Sequence, residues 1–286
     1  MEGDLSLNNR DFPEEEFITT GDIGTLNTEK PIRSVSQFLQ YSRCAKQYKY
    51  IYRDKATRRS SLSMLCGSTV HKAIEVFLKS RLEKGLTLTE IEIKKEVMDY
   101  WNINIPHITR QHNEDPEQLL IEANKLIGVV YPWLLDQRPL YSELQIVHDD
   151  PNKPFVLRGI IDYIDEDHKL IDFKTSSKTP AQTYRNSGVY KLSFDHELQL
   201  TIYKWLFEQN KNVEIKQTSV IYLVKNEDPK LIEVVGKIDK IKTDSALKWL
   251  EEIEKYICMG AFPSNRPSFF CSSKLCSFWE ICTGLT

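Results

Sequence analysis

Residues 155–176, FVLRGIIDYIDEDHKLIDFKTS, set two carboxylates and an ammonium inside an apolar hairpin. The two-residue period of a strand puts Ile160, Asp162 and Ile164 on one face of the first segment, and Leu170, Asp172 and Lys174 on one face of the second. Ile171 and Phe173 take the opposite face, so the hairpin is expected to be largely buried. Charges in such a place are costly unless something compensates them. A divalent cation held by Asp162 and Asp172 would do so, with Lys174 close to the water or phosphate that the cation activates. A buried Asp–Lys pair in a twisted sheet accounts for the same residues without chemistry.

Three other spacings carry polar groups. Gly67-x3-His71 puts an imidazole next to an apolar helical stripe, and Gly159-x2-Asp162 supplies the acid that precedes Asp172. Gln199-x3-Tyr203 sets an amide and a phenol on one face of a helix. Glu143, on the preceding strand, adds a carboxylate that reads as structural. Cys271, Cys276 and Cys282 form C-x4-C-x5-C in a polar, irregular tail, with Cys44 far upstream. Cys66 and Cys258 sit singly in apolar segments and read as core thiols. Four thiolates suit either zinc or an iron–sulfur cluster, and spacing does not choose between them.

The elements that must position these groups follow from period and capping. Ser36 is placed as the N-cap of a basic, aromatic-rich helix over 37–53. Val70, Ile74, Phe77, Leu78 and Leu82 form a helical stripe, giving a helix over 68–84. Further helices are expected over 88–102 and over 116–135, the latter opened by Asp115 and Pro116. Strands are expected over 142–148, 155–164, 169–175, 214–224 and 231–237, with helices over 196–209 and 243–258. This order predicts one α/β domain with a helical insertion. Residues 1–30 read as an acidic mobile tail and 31–286 as the domain. Within it 34–137 is the helical part, 140–260 the core and 261–286 the cysteine-rich tail.

The chain has 286 residues, 41% hydrophobic and 28% charged, a globular profile. No apolar run approaches the ~20 residues of a membrane span, and the N-terminus has no signal-peptide pattern. A cytoplasmic location is expected, the host's if the chain is virus-encoded, which favours thiols or metal ligands over disulfides. The net charge of −3 excludes a uniformly basic nucleic-acid binder. Residues 33–59 nevertheless hold eight bases against one acid, interleaved with Tyr41, Tyr48, Tyr50 and Tyr52. Such a block is a solvated face or a track for a phosphate backbone with stacked bases. On the second reading Arg43, Lys46, Tyr48 and Lys49 contact a DNA strand.

Taken in order, GxxxH, GxxD, DxK and QxxxY resemble the RecB/AddB-like branch of the PD-(D/E)XK nucleases, which includes the CRISPR-associated RecB-like exonucleases. The resemblance spans about 34–283. It implies a restriction-endonuclease-like fold, a mixed central sheet flanked by helices. It also implies that His71, Asp162, Asp172 and the backbone carbonyl of Phe173 ligate Mg²⁺ or Mn²⁺. Lys174 would then orient and help deprotonate the attacking water, while Gln199 and Tyr203 position DNA. One cysteine before the nuclease motifs and three after them is the family's arrangement for a 4Fe-4S cluster, here Cys44, Cys271, Cys276 and Cys282. The family commonly has two residues between the first two tail cysteines, where this chain has four. The implied activity is a metal-dependent deoxyribonuclease, an exonuclease acting on single-stranded DNA ends. The alternatives are a non-catalytic or structure-specific DNA-binding module of the same fold, or a zinc-stapled interaction domain.

Overall fold

A computed structural model describes residues 29–56, 61–108, 115–183 and 187–284. The tail expected over residues 1–30 lies outside them but for its last two residues. The described elements, in chain order, are β1 (Ile32–Ser34), α1 (Val35–Arg43), α2 (Ala45–Tyr48), α3 (Leu62–Lys84), α4 (Glu90–Asn104) and α5 (Pro116–Leu135). Three strands follow, β2 (Pro139–His148), β3 (Val156–Asp165) and β4 (Lys169–Ser176). The chain ends with α6 (Phe194–Lys211), β5 (Gln217–Val224), β6 (Lys230–Gly236), α7 (Lys240–Cys258) and the short α8 (Trp279–Thr283). No helix among the described residues is long and apolar enough to cross a membrane.

Local chemistry explains the boundaries. Ser61 accepts a hydrogen bond from the Met64 N–H to open α3, and Gly85 closes it at φ +64°. Thr89 and Glu92 form a capping box on α4, and Asp115 with Pro116 opens α5 as expected. The first helix differs from expectation. Ser34, not Ser36, is its N-cap, in a capping box with Gln37, and the helix breaks at Cys44, whose backbone is extended. A π-helical turn over Lys49–Arg53 completes the segment. The unexpected β1 is a three-residue strand that exists only because β3 is there to pair with it.

The sheet is mixed and six-stranded. From β3 the order runs to β4, β5 and β6; β4 and β5 are parallel, and β5 and β6 antiparallel. β2 runs antiparallel along nearly the whole of β3. Leu157 and Arg158 pair with β2 and with β1, while Tyr163 and Ile164 pair with β2 and with β4. A strand has only two edges, so β1 and β4 share the second edge of β3, one at each end. Between them the edge opens. The β3–β4 ladder consists of Tyr163↔Ile171 and Ile164↔Leu170, and Asp162 stands where the two strands part.

Helices cover both faces. α1, α2, α6 and α7 pack on one core, which includes Phe38, Tyr48, Leu157, Ile161, Leu206 and Leu250. α3, α4 and α5 pack on the other, with Phe77, Trp101, Ile127, Tyr163, Phe173 and Ile221. Two close approaches explain motif glycines. A Cβ on Gly67 would sit 2.9 Å from Thr175 Oγ1, so its absence lets α3 press against β4. A Cβ on Gly159 would come within 2.9 Å of Leu206 Cδ1 and 3.1 Å of the Tyr203 ring, which lets α6 lie on β3.

The strict alternation expected of β3 fails at one point. Ile161 and Ile164, three residues apart, both join the α6-side core, and Tyr163 joins the other. Ile160 is exposed, so it does not share a buried face with Ile164. The pleat changes phase beside Asp162. Opposite it, by the register of Ser142↔Tyr163 and Leu144↔Ile161, stands Glu143, with φ at +52°. A non-glycine residue in that region costs on the order of 1–3 kcal/mol.

Candidate active site and cysteine cavity

The parting of β3 and β4 gathers side chains from both sides of the sheet. Asp162 turns its carboxylate into the gap, where Oδ2 accepts the Phe173 N–H at 2.8 Å in place of a strand partner. His71, one turn after Gly67 on α3, reaches the same oxygen, with Nδ1 3.8 Å away. Asp172 on β4 is 1% exposed. Its Oδ1 accepts a hydrogen bond from Lys174 Nζ at 3.0 Å. Its Oδ2 lies 2.8 Å from the same ammonium as an ion-pair contact, yet has no hydrogen-bond partner among the described residues. From the other side, α6 brings Gln199, whose Nε2 donates to Tyr203 Oη at 3.0 Å.

The electrostatics are those of crowded anions. Burial, and then the charge of Asp172, pushes the Asp162 carboxyl above its usual range, opposed by His71, Lys174 and the Phe173 N–H. Burial works to lower the Lys174 ammonium, but Asp172 and then Asp162 outweigh it and hold its pKa above the ordinary lysine value. Burial, and then Asp172, pushes the Tyr203 phenol up, so it keeps its proton. Glu143 is pushed up to about 9, by burial and then by Asp162 and Glu75. Glu143 thus stands as a third carboxylate opposite Asp162 on the neighbouring strand. No spacing rule marks it, because its position depends on a backbone turn inside a strand.

This crowding predicts a pH dependence. A carboxyl with a folded pKa above its unfolded one binds protons more tightly in the native state, so stability falls as pH rises between the two values. For Glu143 that window runs from about 4.5 to about 9. Between pH 7 and 9 in EDTA, urea denaturation should show wild-type stability declining more steeply than that of Glu143→Gln, by up to about 1.4 kcal/mol per pH unit. Parallel slopes for the two proteins would remove Glu143 from the charged cluster.

Two further groups stand at the site that the sequence did not single out. His196 Nδ1 lies 2.6 Å from Tyr222 Oη, and Tyr222 is the register partner of Lys174 on β5. Burial and the charge of Lys174 lower the His196 pKa, and Asp172 opposes them. His196, Gln199 and Tyr203 recur at i, i+3 and i+7, a signal that the shorter Gln–Tyr pair hides.

Cys44, Cys271, Cys276 and Cys282 line one cavity, together with Gln47 and Phe278. The helix break at Cys44 aims this segment at the tail. Lys46 N–H donates to Pro263 O at 3.0 Å, Asn265 Nδ2 to Arg43 O at 3.0 Å, and the Tyr41 hydroxyl to Ala261 O. Burial pushes the Cys276 thiol up, with the other three cysteines contributing and the backbone N–H of Phe278 opposing. The other two cysteines lie elsewhere, Cys66 buried and Cys258 exposed. Cys258 is thus not a core thiol: at the last residue of α7 it points outward, within 3.6 Å of Glu254. Among the described residues, no three His, Cys, Asp or Glu side chains are placed as the ligands of one ion.

The expected DNA contacts divide. Arg43 is exposed, paired with Asp195 and lying over the Phe270 ring. Lys46 lies over Tyr50, and Lys49 pairs with Asp54. Tyr48 is 0% exposed and stacks on Phe262, with Tyr41 packed against both. Its ring has no face to offer a base. The tail's aromatic residues, invisible as partners in the sequence, claim these tyrosines for the core.

The sequence profile described as the PD-(D/E)XK nuclease superfamily matches residues 33–283. Among solved structures, a Eubacterium rectale protein described as a candidate exonuclease superposes with a TM-score of 0.60. It covers 90% of this chain and 92% of its own, at 13% identity, so the likeness shows the fold. The structure of SSO0001, 18% identical over 86% of this chain and 95% of that one, superposes with a TM-score of 0.36, too low to carry an argument. No curated protein matches the chain significantly.

Proposed function

The chain belongs to the PD-(D/E)XK nuclease superfamily and has its restriction-endonuclease-like mixed sheet flanked by helices, and from that premise we propose that it is a metal-dependent exonuclease of the RecB/AddB-like type, acting on single-stranded DNA ends. The observation that carries the reading is the pair of carboxylates at the parting of β3 and β4, Asp172 buried and Asp162 largely so, placed so that the charge of Asp172 bears on Asp162. Hard oxygen donors so placed fit a hard cation. Asp162, Asp172, His71 and the Phe173 carbonyl would hold Mg²⁺ or Mn²⁺. Such an ion, when bound, supplies Lewis-acid polarisation of the phosphate and a water of lowered pKa.

The chain's own residues do the rest. Lys174, held fully charged, orients the attacking water and stabilises charge on the phosphoryl oxygens. Tyr203, oriented by Gln199 and keeping its proton, donates a hydrogen bond towards the substrate. Asp162 also ties the two strands together through Phe173, which sets the separation of the carboxylates. Exonuclease action is proposed from the description of the Eubacterium rectale neighbour, and the single-strand preference from the resemblance to the RecB/AddB-like branch.

The cysteine cavity supports a 4Fe-4S cluster on Cys44, Cys271, Cys276 and Cys282. Four sulfur donors line it, and the Cys44 segment is already joined to the start of the tail by the hydrogen bonds of Lys46 N–H, Asn265 and Tyr41. The cluster would staple α1 and α2 to the tail across more than two hundred residues, as a structural metal does. Such thiols fit a reducing compartment such as the cytoplasm.

One preparation tests both parts. Protein purified anaerobically should be brown, with about four irons per chain. It should shorten end-labelled single-stranded DNA from its ends in Mg²⁺ or Mn²⁺ and stop in EDTA. Absence of cleavage with either ion overturns the nuclease. A colourless protein with one zinc overturns the cluster alone.

A further inference from the structure

α6 begins at Ser193, whose hydroxyl accepts the His196 N–H. This fixes the first turn of the helix, from which His196 reaches Tyr222 on β5. There His196 is half-buried, with Nδ1 2.6 Å from Tyr222 Oη, and Tyr222 is buried beside Lys174 at the same register. Burial, and then the charge of Asp172, pushes the Tyr222 phenol up, so it keeps its proton, and His196 Nδ1 stands within reach to accept it. An imidazole that accepts at Nδ1 carries its hydrogen on Nε2. A protonated imidazole carries one there as well. With the hydrogen there, the pair offers an N–H donor close enough to Lys174 for its charge to act on the imidazole, on the helix face shared with Gln199 and Tyr203.

We propose that His196, held by Tyr222, is a further substrate-contacting residue: its Nε2–H donates to a non-bridging oxygen of the phosphate faced by Lys174. The residue has no evident structural duty that an imidazole alone performs. A core position between α6 and β5 would be filled as well by leucine or phenylalanine, without bringing a polar ring and a phenol beside a buried ion pair. A preorganised donor next to a charged one distributes the negative charge that grows on the phosphate, and needs no rearrangement as it does so. The role rests on the nuclease reading, and adds to it a neutral donor set by hydrogen bonding rather than by charge.

The test uses the full chain with its metals. His196→Ala should lower single-turnover cleavage by about 10²-fold, the range for removing one such donor, with DNA affinity changed less than threefold. His196→Gln, whose amide nitrogen reaches as far as Nε2, should recover at least tenfold of that loss. His196→Asn, whose amide reaches only as far as Nδ1, should not. Should His196→Ala fail to fold, Tyr222→Phe, which removes one hydroxyl, should still cost about tenfold. Long-range ¹H–¹⁵N spectra of the metal-free protein should show the Nε2–H form of His196, mixed with its tautomer in Tyr222→Phe. A cleaving wild type with His196→Ala within threefold of it, equal rescue by Asn and Gln, or the Nδ1–H tautomer would each overturn this role alone. A wild type that binds DNA and never cleaves it would overturn the nuclease reading as well.

Discussion

Asp172→Asn is expected to lower DNA cleavage by at least about 10³-fold while leaving DNA bound, because the substitution removes a charge that the reaction needs and little else. The side chain is 1% exposed, and asparagine keeps its shape. What changes is the anion that pairs with Lys174 and presses on Asp162. Interactions aimed at developing charge in a dry site are individually worth about 10²–10³ in rate, and Asp172 serves both the proposed cation and the ammonium. A second effect separates this account from simple damage. Relief of the repulsion from Asp162 offsets part of the lost pairing with Lys174, so the ion-free variant should still fold, and it should lose most of the stabilisation that Mg²⁺ gives the wild type, since a ligand stabilises only the state it binds. Thermal denaturation with and without Mg²⁺, beside a cleavage assay, measures both. Turnover within a few-fold of wild type would remove Asp172 from the site.

The largest stability effect is expected far from the carboxylates. Arg33 on β1 makes two hydrogen bonds to Glu254 on α7, Nε to Oε2 at 2.7 Å and Nη2 to Oε1 at 2.8 Å. The glutamate side chain is 0% exposed and the arginine 16%. Removing one partner of such a pair leaves a buried charge and costs about 3–5 kcal/mol. Arg33→Met, which strands Glu254, should accordingly lower the thermal midpoint by on the order of 10 °C. The double variant Arg33→Met with Glu254→Leu should recover most of the loss, because two apolar chains of similar size avoid the desolvation altogether. A single variant within 1 kcal/mol of wild type would show that the pair is solvated. The bond matters beyond stability: it holds β1, and so the helix that ends at Cys44, against α7, from which the cysteine-rich tail departs.

Patterns carried by neighbours in the chain were readable directly. The Thr89–Glu92 capping box, the Asp115-Pro116 opening and the hairpin from β3 to β4 depend on residues a few positions apart, and they lie close to where period and capping place them. The first helix starts two residues before the place the sequence gives it, because Ser34 and Ser36 are equally good caps locally. The choice falls to β1, which needs β3. Tyr41 and Tyr48 read as base-stacking residues because nothing nearby shows that Phe262 will cover them.

What the sequence alone determined is the list of ingredients and their order: the carboxylates and lysine of one hairpin, the glycines before His71 and Asp162, and four cysteines divided between the ends of the domain. Tertiary structure alone decided how they meet. β1 and β4 share one edge of β3 and leave a gap between them; α3 and α6 reach that gap from opposite faces, through the hollows at Gly67 and Gly159; Glu143 and the His196–Tyr222 pair enter it unannounced. The physical reason is range. Caps, turns and periods are energies between residues a few positions apart, whereas a site at a parting of strands depends on pairings and desolvation between segments a hundred residues apart.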